Sequence, residues 1–167
     1  MYILGRNIIR LIAVITFQVL VMDHVMINGY MVPYVYILFI LLMPFETPQW
    51  VQLLSGFILG LGIDLLENTP GLHTASTVLI AYVRPYLLNL LAPRDGYESD
   101  TFPRVHFYGL VWFLKYTLII VVIHHLALFY LEIFQLKDFL GTLLRVILSS
   151  ILSTSTILLS QYFVFRK

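Results

Sequence analysis

Apolar runs fill almost the whole of this chain and fall into six blocks: about Ile8–Met26, Met31–Met43, Trp50–Leu66, Leu72–Ala92, Phe107–Leu131 and Phe139–Phe165. A bilayer core of about 30 Å is crossed by about 20 helical residues, and backbone polar groups there must be satisfied within the protein. The runs therefore predict an all-α polytopic bundle of six transmembrane helices, a single integral membrane domain over residues 1–167. Charge agrees. The chain carries 10 Lys+Arg and 9 Asp+Glu, 11% of its residues, against about 25% in soluble domains. No sizeable extramembrane domain fits between spans of this length. The net charge of +1, with no basic cluster, argues against nucleic acid as a partner, and the absence of cysteine removes disulfides, thiolate metal sites and thiol nucleophiles.

Arg6 and Arg10 precede the first run, but no small-residue cleavage signal follows, so that run reads as a retained helix. Met31–Met43 is short and bracketed by Pro33 and Pro44, which suits a tilted or partly re-entrant helix. Pro85 predicts a kink in the fourth run. Cytoplasmic flanks are enriched in Lys and Arg. Six spans put Arg6, Arg10, Arg94, Arg104, Arg166 and Lys167 on one side and Lys137 on the other, so both termini are expected in the cytoplasm. The longest hydrophilic stretch, Pro93–Arg104, then becomes a cytoplasmic turn. Asp23, Glu67, Glu132 and Asp138 gather on the opposite side. Aromatic residues at the span ends, among them Trp50, Tyr82, Tyr86, Phe102, Phe107, Phe129, Tyr130 and Phe134, suit the two headgroup layers.

Among the charges inside the runs, three placed away from the ends draw notice. Asp64, Lys115 and Arg145 each cost about 2.5–3.5 kcal/mol at mid-helix unless they find a partner or reach the interface. Asp64 sits about 21 Å from one face and Arg145 about 9 Å from the other, so their depths coincide. Either the two pair across the bundle between spans three and six, or Arg145 snorkels outward and Asp64 caps a helix end in water; the spacing leaves both open. Lys115 is close enough to an interface to snorkel. His124 and His125 project about 100° apart on a helix and cannot share one metal unaided, so they read as interfacial histidines and no metal or cofactor is expected. Gln18 and the Ser/Thr residues 149, 150, 153–156 and 160 read as hydrogen-bonding packing positions between helices.

The third run carries the densest pattern. Gly56, Gly60 and Asp64 recur at steps of four and share one helix face within about 80°. Bare glycines admit another backbone at close range, which marks Gly56, Gly60 and Asp64 as the central packing and partner-facing surface. Gly71 and His73 then shape the turn that follows.

This stretch resembles the rod shape-determining MreD family of bacterial inner-membrane proteins. The residues that carry the resemblance are Pro33, Pro44 and Pro48, the run Gly-Phe-Ile-Leu-Gly-Leu-Gly-Ile-Asp from Gly56 to Asp64, and Pro-Gly-Leu-His-Thr-Ala from Pro70 to Ala75. The resemblance implies a non-enzymatic scaffold of the cell-elongation machinery, the elongasome, in the inner membrane. It would bind the bitopic protein MreC and support peptidoglycan synthesis and cell shape, together with the glycosyltransferase, the transpeptidase and the actin-like cytoskeleton. It also implies a fold similar to the substrate-binding subunits of energy-coupling-factor vitamin transporters.

Such a transporter subunit is the first rival reading, with Asp64, Glu67, His73, His124 and Arg145 as pocket residues. The first run lacks the Ala-x-x-x-Ala patch that this rival would present to its transport partner. An intramembrane enzyme is the second. The chain has no His-Glu-x-x-His, no Gly-x-Ser-x-Gly and no second deep carboxylate beside Asp64, so no catalytic residue is assigned.

Overall fold

The computed structural model describes residues 2–25, 31–98, 101–133 and 139–164, and all regular structure among them is helical. The elements are α1 (Tyr2–Phe17), a π-helical turn (Gln18–Met22), α2 (Ile37–Leu41), α3 (Gln49–Glu67), α4 (Leu72–Leu90), α5 (Val105–Ile133) and α6 (Phe139–Val164). Three stretches, Gln49–Glu67, Val105–Ile133 and Phe139–Phe163, are long and apolar enough to cross a membrane. α1 is shorter, and the inward face of α4 is diluted by His73, Ser76, Thr77 and Arg84. Lys137, Asp138, Arg166 and Lys167, on which the expected sidedness partly rests, lie outside the described residues, as does Phe134.

α3 and α4 form a hairpin whose turn is set by backbone conformation. Pro48 precedes α3 and Asn68 ends it in the left-handed region (φ 56°). Gly71, at φ 81°, opens α4, with nothing near the position a Cβ would take. Only a glycine holds such a φ without cost, so Gly71 serves the turn through its backbone. Between the helices the glycine face is closed. A Cβ on Gly56 would lie 2.9 Å from the Thr77 carbonyl oxygen and 3.1 Å from the Ala81 Cβ. One on Gly60 would overlap Thr74 and the Thr77 hydroxyl and lie 2.7 Å from the His73 carbonyl oxygen. Thr77 exploits the approach, its hydroxyl donating to the Gly56 carbonyl at 2.8 Å.

The remaining helices surround an irregular strand of chain. Every residue from Val32 to Met43 is buried. The stretch has no regular structure from Val32 to Tyr34, turns at Val35 and Tyr36, and becomes the five-residue helix α2. That segment is the second apolar run. It is neither a straight helix nor a surface hairpin but an irregular segment in the centre of the bundle, against α1, α3, α4 and α5, with α6 reaching it through Ser153. Non-helical backbone at membrane depth is tolerated only where protein or water satisfies it.

α5 breaks at Gly109 (φ 79°, ψ 165°), which folds Val105–Tyr108 back as a separate turn. Tyr97 stacks on Phe45 with ring centroids 4.1 Å apart, Tyr97 donates to the Leu88 carbonyl at 2.7 Å, and the Trp112 indole donates to the Leu91 carbonyl at 2.9 Å. These contacts pin the polar loop after α4 to the chain that leaves α2.

Candidate functional site

Two groups of buried polar side chains stand out, one at each end of the central segment. Both are best understood from the backbone they serve. Helix ends and extended stretches leave N–H and C=O groups without intrahelical partners, and an unpaired buried one costs about 1–3 kcal/mol.

At the α3–α4 turn, Asp64 caps α4 from the preceding helix. Its carboxylate accepts from the His73 N–H at 3.0 Å, the Thr74 N–H at 2.9 Å, the Thr74 hydroxyl at 2.6 Å and the Thr69 hydroxyl. Orphan N–H groups and the positive end of the α4 dipole thus neutralise the acid. The expected alternative of a pair with Arg145 does not form. Arg145 instead meets Glu132 at 2.8 Å and lies over the Phe129 ring, 4.2 Å from its centroid. The reason is rotational: equal depth does not put two side chains on facing sides of their helices. Helix capping was the other reading for Asp64, and it holds with one change, since the residue is 4% exposed and caps in the protein interior.

Beside it, Glu67 meets His73 Nε2 at 3.1 Å. The Tyr36 hydroxyl joins His73 Nδ1 at 2.7 Å to His124 Nε2 at 2.8 Å. His124 and His125 are fully buried, which corrects the interfacial reading: both face inward, His125 Nε2 lying 3.2 Å from the Ser153 hydroxyl. Ser153 in turn accepts from the Tyr34 N–H at 2.9 Å. Gln18, held in the π-helical turn, accepts from the Val35 N–H at 2.8 Å and donates to the Pro33 carbonyl at 3.3 Å and to Asp23 at 2.8 Å. Pro33 has no N–H to satisfy. The irregular half of the segment is thereby bonded from two sides.

The other end is governed by Arg84, fully buried on α4. Nε donates to the Tyr116 hydroxyl at 2.9 Å, one terminal nitrogen to Gln52 Oε1 at 3.1 Å and the other to the Met43 carbonyl. Tyr116 also donates to the Leu41 carbonyl at 3.1 Å. A guanidinium at the carbonyl end of α2 meets the negative pole of that short helix. Sequence reasoning missed Arg84, although it stands mid-run beside Pro85. It missed Tyr36 and Gln52 as well, which carry no charge to attract notice. Lys115 is exposed, as a snorkelling residue would be.

Among the five packing positions named from sequence, Gly56, Gly60, Asp64 and His73 are gathered along the α3–α4 contact and Gly71 lies in its turn. Gly56, Gly60 and Asp64 are buried against α4 of the same chain. They are a packing face, and the partner-facing half of that expectation is corrected: no surface there is left for a second protein. No group of three or more His, Cys, Asp or Glu able to hold a metal occurs among the described residues. No protein-family model, no curated protein and no solved structure matches the chain.

Proposed function

We propose that the chain is a non-enzymatic scaffold of the bacterial cell-elongation machinery, an MreD-like protein in the inner membrane with six spans and cytoplasmic termini. In this reading it binds an MreC-like bitopic protein and, directly or through it, supports the glycosyltransferase, the transpeptidase and the actin-like cytoskeleton that shape the wall.

The observation that carries the proposal is where the polar side chains are spent. Gln18, Asp64, Thr77, Arg84, Tyr116 and Ser153 all bond the chain's own backbone. The outside of α3 is left as an apolar stripe of Trp50, Leu54, Phe57, Ile58, Leu61 and Leu65, all exposed. A stiff core with apolar helix faces outward suits lipid tails and a partner's single helix. What supports counting the central segment as a span is that all of Val32–Met43 is buried among the helices and bonded by neighbours at both ends. Its hydrogen-bonded anchors, His73 and Arg84, lie well apart along α4.

One observation favours the transporter-subunit reading: Asp64, Glu67, His73 and His124 do gather at one end of the bundle, as pocket residues would. Each is already engaged with neighbours in the same chain. Purification from native membranes separates the two. The scaffold predicts a stoichiometric single-pass protein that photo-crosslinks to a probe at Leu61, whereas a stoichiometric vitamin-sized molecule by mass spectrometry, with no such protein, would overturn it.

A further inference from the structure

α1 and the π-helical turn touch the rest of the bundle lightly: of their described side chains only Gln18 is buried. Gln18 and Asp23 act as one unit. The Asp23 N–H donates to the Gln18 carbonyl at 3.0 Å and closes the turn, while the Gln18 amide donates to Asp23 Oδ1 at 2.8 Å. A π-helical turn beside an α-helix is rare and frequently marks a place of function. The second oxygen, Asp23 Oδ2, is buried and has no hydrogen-bond partner among the described residues.

Glu67, at the end of α3, is in the same situation. Its Oε2 meets His73 Nε2 at 3.1 Å, and its Oε1 is buried with no hydrogen-bond partner among the described residues. The two carboxyls lie within hydrogen-bonding reach of each other. Two ionised carboxylates so placed repel, and neither bare oxygen has a donor. One proton between them turns the repulsion into a charge-assisted hydrogen bond. All four oxygens are then met: Oδ1 by Gln18, Oε2 by His73, and Oδ2 and Oε1 by the proton they share. Solvent reaches the pair through Glu67, whose side chain is 22% exposed.

We propose that Asp23 and Glu67 share one proton, and that this acid–carboxylate bond is a pH-sensitive latch joining the π-helical turn to the α3–α4 hairpin. Closed, the latch holds one proton more than it does open, so a rise in pH opens it. Loss of the proton leaves two adjacent anions. Asp23 then pulls away and loosens the hold of Gln18 on the Val35 N–H and the Pro33 carbonyl. The other ionisable groups around the pair are Asp64 on α3, His73 on α4, Tyr34 and Tyr36 in the central segment, Glu132 on α5 and Arg145 on α6. His24 follows Asp23 and is exposed. Asp64 is spent on the N–H groups of α4 and Arg145 on Glu132. His73 is the neighbour that competes for the proton.

Side-chain carboxyl ¹³C NMR of the full chain in lipid nanodiscs, labelled at Asp and Glu, follows each carboxyl through a pH titration. Asp23 and Glu67 should respond together in two separated steps, the signature of a coupled pair, and Asp23→Asn should leave Glu67 a single step. Independent single steps in the wild type would overturn the proposal. So would a His73 ring ¹⁵N signal that takes the upper step while both carboxyls stay ionised. The latch itself is read as a distance. The chain lacks cysteine, so spin labels at Leu20→Cys and Leu65→Cys, both exposed positions, report the separation of turn and hairpin. Raising the pH through the upper step should lengthen and broaden that distance. Asp23→Asn, whose amide donates to Glu67 at any pH, should hold it at the closed value, and Glu67→Gln should do the same from the other side. A wild-type distance that ignores pH, or one that still follows pH in both variants, would overturn the latch.

Discussion

Asp64 and Arg84 are two buried charges of opposite sign, about 15 Å apart measured along α4 between Thr74 and Arg84, and each is neutralised without the other. The acid takes N–H groups at the start of α4; the base takes carbonyl and hydroxyl oxygens at the end of α2. An ion pair buried in an apolar bundle recovers its desolvation cost only in excellent geometry. Helix ends need partners in any case, so a charge placed there serves two needs at once. The ends differ in what surrounds the charge. Around Asp64 are a second carboxylate and a hydrogen-bonded His73–Tyr36–His124 run; around Arg84 are Gln52, Tyr116 and a backbone carbonyl. One end of the central segment is held by a branched network of several side chains, while at the other a single guanidinium acts as a clamp.

The harshest way to break this contrast is to pry the acid end open. Gly60→Leu would drive a side chain into the His73 and Thr74 backbone, and overpacking against backbone with nowhere to move costs about 3 kcal/mol or more. Folded yield by size-exclusion chromatography should collapse. Gly62→Leu meets only the mobile tip of Ile15 and should leave most of the yield; equal losses would count against a special α3–α4 contact.

At the clamp, Arg84→Met strands the Met43 carbonyl and the Gln52 amide oxygen, at about 1–3 kcal/mol each. Thermal unfolding in nanodiscs should move down sharply, and Arg84→Lys should recover part of the loss because an ammonium reaches fewer of the three acceptors. A wild-type melting temperature for Arg84→Met would remove the clamp from the account.

The smallest effects test the separation of the two regions. Asp64→Asn keeps one acceptor oxygen and should cost about 1–3 kcal/mol. Arg145→Met should cost less than about 1 kcal/mol, since its pair with Glu132 is partly exposed. Made together, the two losses should add, as they do for sites without shared partners. A coupling well above about 0.5 kcal/mol would restore the Asp64–Arg145 pair.

Much of the helical layout is legible in the chain. Runs placed at Trp50–Leu66, Leu72–Ala92, Phe107–Leu131 and Phe139–Phe165 coincide within a few residues with α3, α4, α5 and α6, because apolar length and Gly/Pro punctuation are local properties. The step-of-four recurrence of Gly56, Gly60 and Asp64 correctly marks a close-packed face for the same reason. What it faces is not local, and α4 of the same chain occupies it. Met31–Met43 is legible as unusual through its prolines and length, yet nothing in it says that Gln18, Ser153, Tyr116 and Arg84 will bond its backbone from four other elements.

From the sequence alone comes an all-helical, charge-poor chain with apolar helices of bilayer length and one glycine face, since hydrophobicity and helical period act over a few turns. Only the tertiary structure decided the partners of Asp64, Arg84, Arg145 and the buried histidines. Those depend on how each helix is rotated against its neighbours, a quantity to which every packed side chain contributes and no single segment encodes.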